Sequence, residues 1–251
     1  MMKKLALIFV FGLFAYSCAK VPLTGRSQLA IVPSSELQPL VNEEYQKALK
    51  ANKVLTTTKD GQMVVRVGKR MAASVEKYLT ENGYGELVSE LAWEFNLLES
   101  EQINAWCMPG GKVAFYTGIL PITKDETGLA VVMGHEIAHA LREHSRERIS
   151  QQLATNVGLD LASAVFGLSR GASDLAGMAA NVAISLPYGR SHEVESDRIG
   201  VELAARAGYN PRAAISVWQK MSRAGGGSPP ELLSTHPSPE NRIQDLEVYS
   251  A

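Results

Sequence analysis

Two histidines and a glutamate stand close together in the segment HEIAH at 135–139. In an α-helix, residues four apart lie about 40° from each other around the axis, so the imidazoles of His135 and His139 point the same way. Glu136 is rotated by about 100° from His135, where its carboxylate can reach a water molecule without itself binding a metal. The spacing therefore predicts either a catalytic zinc site or two core histidines that share one helix face.

A second group of acids follows in GRSHEVESDRIG at 189–200, where Glu193 and Asp197 lie one helical turn apart. A catalytic zinc site needs a third protein ligand, which a carboxylate can supply. It also needs an acceptor for the other N–H of a ligating histidine. We expect Glu193 to be the third ligand and Asp197 to orient His135 or His139. The two groups together favour zinc over structural histidines.

The same two groups carry a family resemblance. HEIAH followed by EVESD is similar to the gluzincin zinc metallopeptidases of the CaaX prenyl protease, HtpX and BepA type, and the likeness runs from about residue 22 to 248. Ser196 stands where that family usually has alanine, which keeps a small side chain. Four further segments resemble the family in the same order: VPLTGRSQL (21–29), NAWCMPGGKVAFYTGIL (104–120), AGYNPRAAISVW (207–218) and STHPSPENRI (234–243).

The resemblance implies an α+β fold, mainly helical and zincin-like, with a small β-sheet beside the HExxH helix. It implies one Zn²⁺ per chain, held by His135, His139 and Glu193. Zinc lowers the pKa of a water molecule at its fourth position, and Glu136 is the expected general base that moves the proton to the leaving amine. The implied activity is that of a zinc endopeptidase for cell-envelope proteins, namely misfolded or unassembled outer-membrane or periplasmic chains.

The oxyanion formed during peptide hydrolysis needs a hydrogen-bond donor or a second cation. Arg190, His192 and His236 are the candidates, and the sequence does not choose among them. His236 belongs to a loop that begins with three glycines at 225–227. In one member of the resembled family, a histidine of the matching segment caps the zinc. By resemblance, His236 is then a fourth, inhibitory ligand; the alternatives are a backbone hydrogen bond or a role in catalysis.

Residues 1–17 predict a signal peptide, because two lysines precede the apolar run LALIFVFGLFA at 5–15. That run is too short to cross a bilayer as a helix. AYSC then places Cys18 after a small residue, as at a bacterial lipoprotein cleavage site, although Ala15 stands where leucine is usual. The alternative is an ordinary signal peptide with an incidental cysteine.

We expect a lipid-anchored tether at 18–33 and one zinc metallopeptidase domain at 34–251, located in the periplasm. Ala19 after the lipidated cysteine favours the outer membrane over the inner one. Cys107 is the other cysteine of the chain, so after lipidation no internal disulfide can form. The net charge of −1 gives no basic stripe, which argues against nucleic acid as a partner.

The coarse pattern is helices, then strands, then helices. In the resembled family the strand nearest the metal offers its edge to an extended substrate, so WCMPGGKV at 106–113 would bind peptide as an added strand. Helical periodicity covers 34–52 and 60–82, and β-forming residues cluster at 92–100, 103–108 and 112–118.

Helix boundaries give three further expectations. TKDE at 123–126 predicts a capping box with Thr123 as the N-cap of the HEIAH helix. The small-residue segment 154–187 favours a pair of tightly packed helices over a mobile flap. A terminal helix is expected from about Pro239.

Two other functions are compatible with these residues. The first is a chaperone or assembly factor for envelope proteins, in which zinc plugs the site and proteolysis is secondary. The second is a purely structural zinc lipoprotein. Against the second, Glu136 would have no reason to lie beside the open metal position.

Overall fold

The structure is a computed structural model that describes residues 18–166, 189–224, 231–236 and 241–251. The predicted signal peptide lies outside these residues, and so does the second part of the small-residue segment. The chain divides into two compact units, Met1–Pro39 with Arg142–Tyr188 and Leu40–Leu141 with Gly189–Ala251.

The described part of the chain is mainly helical, as expected. None of its helices is both long and apolar enough to cross a membrane. The helices are α1 (Ser34–Ala51), α2 (Lys59–Glu81), α3 (Gly85–Val88), α4 (Leu120–Thr123), α5 (Glu126–Leu141), α6 (His144–Phe166), α7 (described over 189–206), α8 (Ala213–Ala224), α9 (Glu231–Thr235) and α10 (Arg242–Tyr249). The strands are β1 (Cys18–Lys20), β2 (Ser27–Leu29), β3 (Glu94–Leu98), β4 (Ala105–Met108) and β5 (Lys112–Tyr116).

The larger sheet has three strands in the order β3-β5-β4, which confirms the three predicted strands. β3 runs parallel to β5, and β4 runs antiparallel to it. Gly110 and Gly111, with φ of +79° and +83°, turn the chain between β4 and β5. A Cβ atom at Gly111 would also meet the ring of Trp93 at 2.6 Å. Because β5 lies between β3 and β4, β4 is an edge strand among the described strands.

The core of the second unit lies between this sheet and helices α2 and α5. The predicted helix at 60–82 is confirmed as α2, and its apolar stripe is fully buried through Val64, Val67, Met71 and Val75. Helix α5 is buried on nearly all sides and contacts α2, β4 and α8. A helix that is apolar all round is stable only inside a core, so α5 is a rigid support for the polar residues it carries.

The N-terminus of α5 differs from the prediction. Asp125 is the capping residue: its Oδ1 accepts a hydrogen bond from the backbone N–H of Gly128 at 2.9 Å. Thr123 instead ends α4, and its hydroxyl donates to the carbonyl of Leu120 at 3.3 Å. Lys124, at φ +64°, separates the two helices. The predicted capping box is wrong because this left-handed residue removes Thr123 from the start of α5.

In the first unit, residues 18–33 are hydrogen-bonded to the start of α6. β1 and β2 form a short antiparallel pair. Arg26 binds Glu147 through two hydrogen bonds of 3.0 and 2.7 Å, and the backbone N–H of Ile31 donates to Ser150 at 3.1 Å. The first part of the small-residue segment is helical, since α6 extends to Phe166.

Candidate metal centre

Helices α5 and α7 approach very closely at two glycines. A Cβ atom at Gly134 would lie 2.5 Å from the carbonyl oxygen of Gly200, and one at Gly200 would lie 2.7 Å from the backbone nitrogen of His135. Real side chains do not tolerate such distances. The pair of glycines therefore lets the two backbones touch, and this contact carries the acids of α7 to the histidines of α5.

The ligand atoms predicted from the sequence converge in the second unit. Nε2 of His135 lies 3.1 Å from Nε2 of His139. The carboxylate of Glu193 lies 3.3 Å from Nε2 of His135 and 3.2 Å from Nε2 of His139. His135 and Glu193 are almost completely buried. Three ligand atoms on two helices thus surround one point.

These spacings fit zinc. Bonds of about 2.0–2.1 Å in a tetrahedral site separate neighbouring ligand atoms by about 3.3–3.4 Å, close to the three distances between His135, His139 and Glu193. Oε1 of Glu136 is buried and has no hydrogen-bond partner within the described parts of the chain. The buried carboxylate of Glu193 carries a negative charge, which a cation among these atoms would compensate. The donor set is also the one that zinc prefers, and zinc is the cofactor of this site.

His236 completes the group. Its Nδ1 lies 2.9 Å from Oε1 of Glu193, and its Nε2 lies 3.7 Å from Oε2 of Glu136. One ligand atom each from His135, His139, Glu193 and His236 lies within 4.8 Å of all the others. The imidazole of His236 is therefore within reach of both the metal position and the expected general base.

Asp197 lies where the sequence predicted an orienting acid, and it selects His135. Oδ1 of Asp197 is 2.9 Å from Nδ1 of His135. Because Nε2 of His135 faces the metal position, Nδ1 is the atom that carries the proton and donates to Asp197. This contact fixes the ring of His135 with Nε2 turned toward His139 and Glu193.

Arg242 and Trp218 also lie at the site, although neither was predicted from the sequence. Nη2 of Arg242 donates to Oδ1 of Asp197 at 2.7 Å and lies 3.5 Å from Oε2 of Glu193. Its guanidinium carbon sits 3.3 Å from the ring centroid of Trp218. Both residues belong to segments that carry the family resemblance, but nothing in their local pattern indicates burial beside a metal.

Arg190 and His192, the two other residues proposed to stabilise the oxyanion, precede Glu193 on α7. Arg190 is exposed, whereas His192 is buried. The third candidate for stabilising the oxyanion is His236, and the contact with Glu136 described above belongs to this residue. The roles of Arg190 and His192 remain predictions.

His135 and His139 differ in the direction of their pKa shifts. Burial alone would lower the pKa of His135, but Asp197 and Glu193 outweigh it and raise the pKa to about 9. Burial lowers the pKa of His139 well below its usual range, although Glu193 opposes this effect. His139 is therefore ready to bind a metal, whereas His135 must first release a proton.

Glu193 and Glu136 also differ in the direction of their pKa shifts. Burial alone would raise the pKa of Glu193, but hydrogen bonds from His135, His139 and His236 hold it well below its usual range. Burial raises the pKa of Glu136. Glu193 thus stays anionic, as a ligand must, while Glu136 is the more readily protonated carboxylate. A raised pKa suits a general base that also returns the proton as an acid.

The edge strand β4 lies beside this site. Helix α5 packs against β4. Burial, and to a smaller extent the charge of Glu136, raises the pKa of the Cys107 thiol. A small crevice between the strand and α5 is lined by Trp93, Cys107, Ile137 and Ala140, among others. Cys107 is partly buried, and its raised pKa makes it a poor nucleophile.

Comparison with known proteins agrees with this geometry. The model of the peptidase family M48 matches residues 66–250. The mitochondrial metalloendopeptidase OMA1 of Schizosaccharomyces pombe is 39% identical over 164 residues, which cover 64% of this chain and 48% of that protein. OMA1 of Bos taurus is 34% identical over 251 residues, covering 95% of this chain and 47% of that protein. The beta-barrel assembly-enhancing protease of Yersinia pestis is 30% identical over 165 residues, covering 61% and 33%.

The fold and the site have the arrangement of gluzincin zinc metallopeptidases, with two histidines on α5 and a glutamate on α7. The chain belongs to peptidase family M48. It spans about half the length of the OMA1 proteins from fission yeast and cattle and a third of the Yersinia protease.

Proposed function

We propose that this protein is a zinc-dependent endopeptidase that hydrolyses misfolded or unassembled proteins of the bacterial cell envelope. The observation that carries the proposal is the convergence of His135, His139 and Glu193 at spacings of 3.1 to 3.3 Å, with Glu136 beside them. A structural zinc site would need no base beside the metal position.

In the proposed mechanism, His135, His139 and Glu193 would hold the zinc ion, which would supply Lewis-acid chemistry at the scissile carbonyl. Glu136 accepts a proton from the attacking water at its buried carboxylate and then donates it to the leaving amine. Asp197 accepts the Nδ1 proton of His135 and keeps Nε2 of that ring available. His236, whose Nε2 lies 3.7 Å from Oε2 of Glu136, is the candidate donor to the oxyanion when it does not cap the site.

The substrate is proposed to bind as an extended strand along β4. Two features support this: β4 is an edge among the described strands, and it packs against the helix that carries Glu136. An unpaired edge offers backbone N–H and C=O groups to any peptide of suitable conformation. Such recognition depends on the backbone more than on side chains, which suits a protease that acts on many unfolded chains.

The envelope location rests on the lipoprotein-like start of the sequence, with Cys18 as the lipidated residue. The Yersinia relative is named for β-barrel assembly, which supports envelope substrates. The OMA1 relatives are named as mitochondrial. The two lysines followed by the apolar run at 5–15 are the signal-peptide pattern that supports the envelope proposal.

A second candidate function is an envelope chaperone or assembly factor with a latent protease site. The position of His236 favours it, because Nδ1 of His236 lies 2.9 Å from the Glu193 carboxylate. A fourth protein ligand would displace the water that hydrolysis needs. The two functions are compatible if the histidine leaves the metal when substrate binds.

The deciding experiment replaces the general base. Glu136→Gln keeps the size of the side chain but cannot accept the proton, so we expect peptidase activity to fall by about 10²–10⁴-fold with zinc content unchanged. Glu126→Gln is the matched control, since Glu126 starts the same helix and forms an exposed ion pair with Arg66. Casein hydrolysis and bound zinc are measured for each protein.

Full activity in Glu136→Gln would contradict the proposed mechanism. Rescue of a deletion strain by the inactive protein would favour the chaperone function instead. Proteins that accumulate in envelope extracts of the Glu136→Gln strain, compared with wild type, would identify the substrates.

A further inference from the structure

Arg242 and Trp218 form a buried pair that the mechanism above does not use. Arg242 is 2% exposed and Trp218 is 5% exposed. The guanidinium carbon lies 3.3 Å from the centroid of the indole ring, which is a stacked cation–π contact. A buried guanidinium is costly unless its charge is compensated, so its place beside the metal site calls for a function.

We propose that Arg242, held flat on Trp218, is a positioning residue that fixes the zinc ligand His135 through Asp197. This inference rests on the proposed zinc peptidase and adds two residues to its site. Neither residue touches the reacting atoms in this role.

The contacts of one oxygen atom carry the inference. Oδ1 of Asp197 accepts from Nη2 of Arg242 at 2.7 Å and from Nδ1 of His135 at 2.9 Å. The carboxylate is thus held from two sides, and its charge is balanced by the guanidinium. Without Arg242, Asp197 would be a buried anion with a weaker hold on its position, and the imidazole that depends on it could turn.

Trp218 braces both partners. Its ring lies edge-on to His135, with centroids 5.1 Å apart and planes at 67°. Nε and Nη1 of Arg242 have no acceptor among the residues that the structure describes, so the single hydrogen bond from Nη2 to Asp197 does not fix the plane of the guanidinium. The indole ring of Trp218 under the guanidinium carbon fixes it, and lysine has no planar group that could do the same.

A purely structural role does not account for the contacts of Arg242. An arginine that only held the C-terminal helix in place could pair with any acceptor in the core and would not need to bind the acid that orients a metal ligand. Nη2 of Arg242 also lies 3.5 Å from Oε2 of Glu193 and 3.5 Å from Nδ1 of His135. One guanidinium nitrogen therefore contacts two of the metal ligands and the acid between them.

The test compares full-length Arg242→Lys, Arg242→Gln and Trp218→Phe with wild type. Arg206→Lys is the matched control, because Arg206 pairs with Glu202 at 2.8 Å and stacks on Tyr78 at 4.2 Å, but is exposed and outside the site. Zinc affinity is measured by competition with a chromogenic chelator. The ligand geometry is measured by the visible absorption of the Co²⁺-substituted protein, and kcat and KM are measured at saturating zinc.

We expect the zinc dissociation constant of both Arg242 variants to rise by about 10- to 100-fold, with altered Co²⁺ bands. Trp218→Phe should shift both quantities in the same direction by less, and Arg206→Lys should match wild type. At saturating zinc, kcat should fall while KM stays constant. Arg242→Gln leaves a buried charge on Asp197 that could prevent folding; Arg242→Lys and Trp218→Phe then decide the question.

Wild-type zinc affinity and Co²⁺ bands in Arg242→Lys and Trp218→Phe would overturn the proposal. A raised KM with unchanged zinc affinity would do so as well, because it would make Arg242 a substrate-binding residue. If wild type cleaves no peptide, the proposed function fails, but zinc affinity and the Co²⁺ spectrum still decide the role of Arg242.

Discussion

At the scale of single residues, the site divides its tasks by local environment. Glu193 and Glu136 are both buried carboxylates, yet hydrogen bonds from histidines keep the pKa of Glu193 low, whereas burial raises the pKa of Glu136. An anionic Glu193 suits its proposed role as a metal ligand, and a raised pKa suits the proposed role of Glu136 as a base. The two carboxylates differ in pKa because their neighbours differ.

His135 gives a prediction about pH. Asp197 and Glu193, acting against burial, raise its pKa to about 9 in the metal-free protein. Below that pH the ring is protonated, and zinc must displace the proton from Nε2. We therefore expect zinc affinity to increase as pH rises toward 9 and then to level off, with a proton released on binding in the lower range.

Calorimetry in buffers that differ in ionisation enthalpy measures this release. Asp197→Asn removes a charge that holds the proton on His135, so it should reduce the number of protons released. Heats of zinc binding that do not depend on the buffer at neutral pH would contradict the prediction.

His236 gives a second prediction at this scale, with two outcomes of opposite sign. If His236 caps the metal, His236→Ala should increase basal peptidase activity, because the position for water becomes free. Zinc content should change little, since three ligands remain. A loss of turnover with intact folding would instead assign His236 to the transition state. Hydrolysis of a fluorogenic peptide, measured with bound zinc, separates the two.

At the scale of helices and strands, the glycine contact between α5 and α7 is the feature on which the site depends. The two helices carry ligands that must meet within about 3.3 Å, so a small change in their separation removes the site. Gly134 directly precedes His135, and Gly200 follows Asp197 by less than one turn. The close approach therefore occurs where the ligands need it.

Gly134→Ala should destabilise the protein by about 1–3 kcal/mol, the usual cost of an added methyl group in a packed core. The new Cβ would lie 2.5 Å from the carbonyl oxygen of Gly200, and the helices must separate to accept it. Zinc affinity should fall as well. Gly85→Ala is the control, since a Cβ atom there meets nothing within 4 Å.

Thermal and chemical unfolding of the two variants, with and without zinc, measure these effects. If Gly134→Ala had wild-type stability and zinc affinity, the helix contact would not control the site.

At the scale of the whole molecule, the site and the predicted anchor belong to different units. All of the proposed ligands lie in the unit made of Leu40–Leu141 and Gly189–Ala251, and Cys18 lies in the other. The second unit is therefore built from two parts of the chain that are separated in sequence by Arg142–Tyr188.

The anchor itself is tested in cells. Labelled palmitate should be incorporated into the wild-type protein and not into Cys18→Ser, because the acyl chains of a bacterial lipoprotein attach to that cysteine. Cys107→Ser is the control, and it should incorporate the label as wild type does. Equal labelling of Cys18→Ser and wild type would exclude the lipoprotein assignment.

The sequence predicted what depends on local spacing. The convergence of His135 and His139 follows from one turn of helix, and the strands around the Gly110-Gly111 turn follow from β-forming residues and glycine. The N-cap at Asp125 could not be read from spacing, because it depends on the left-handed backbone of the residue before it.

The remaining features depend on contacts between distant parts of the chain. No local pattern marks Arg242 as buried, since an arginine before an isoleucine is usually a surface residue. The contact of Gly134 with Gly200 similarly exists only once α5 and α7 cross. Such contacts have no period or motif in the sequence, and the structure is needed to find them.

The link from Arg242 to His135 joins residues 107 positions apart. A chain that emerges from a ribosome or a translocation pore in order from its N-terminus presents the HEIAH helix first, then Glu193, and Arg242 only later. Long-range contacts of this kind form late, because the intervening chain must close into a loop before they are made. Arg242, which orders the site, is therefore synthesised after the two histidines. The newly made polypeptide completes the proposed site only when its synthesis is nearly finished.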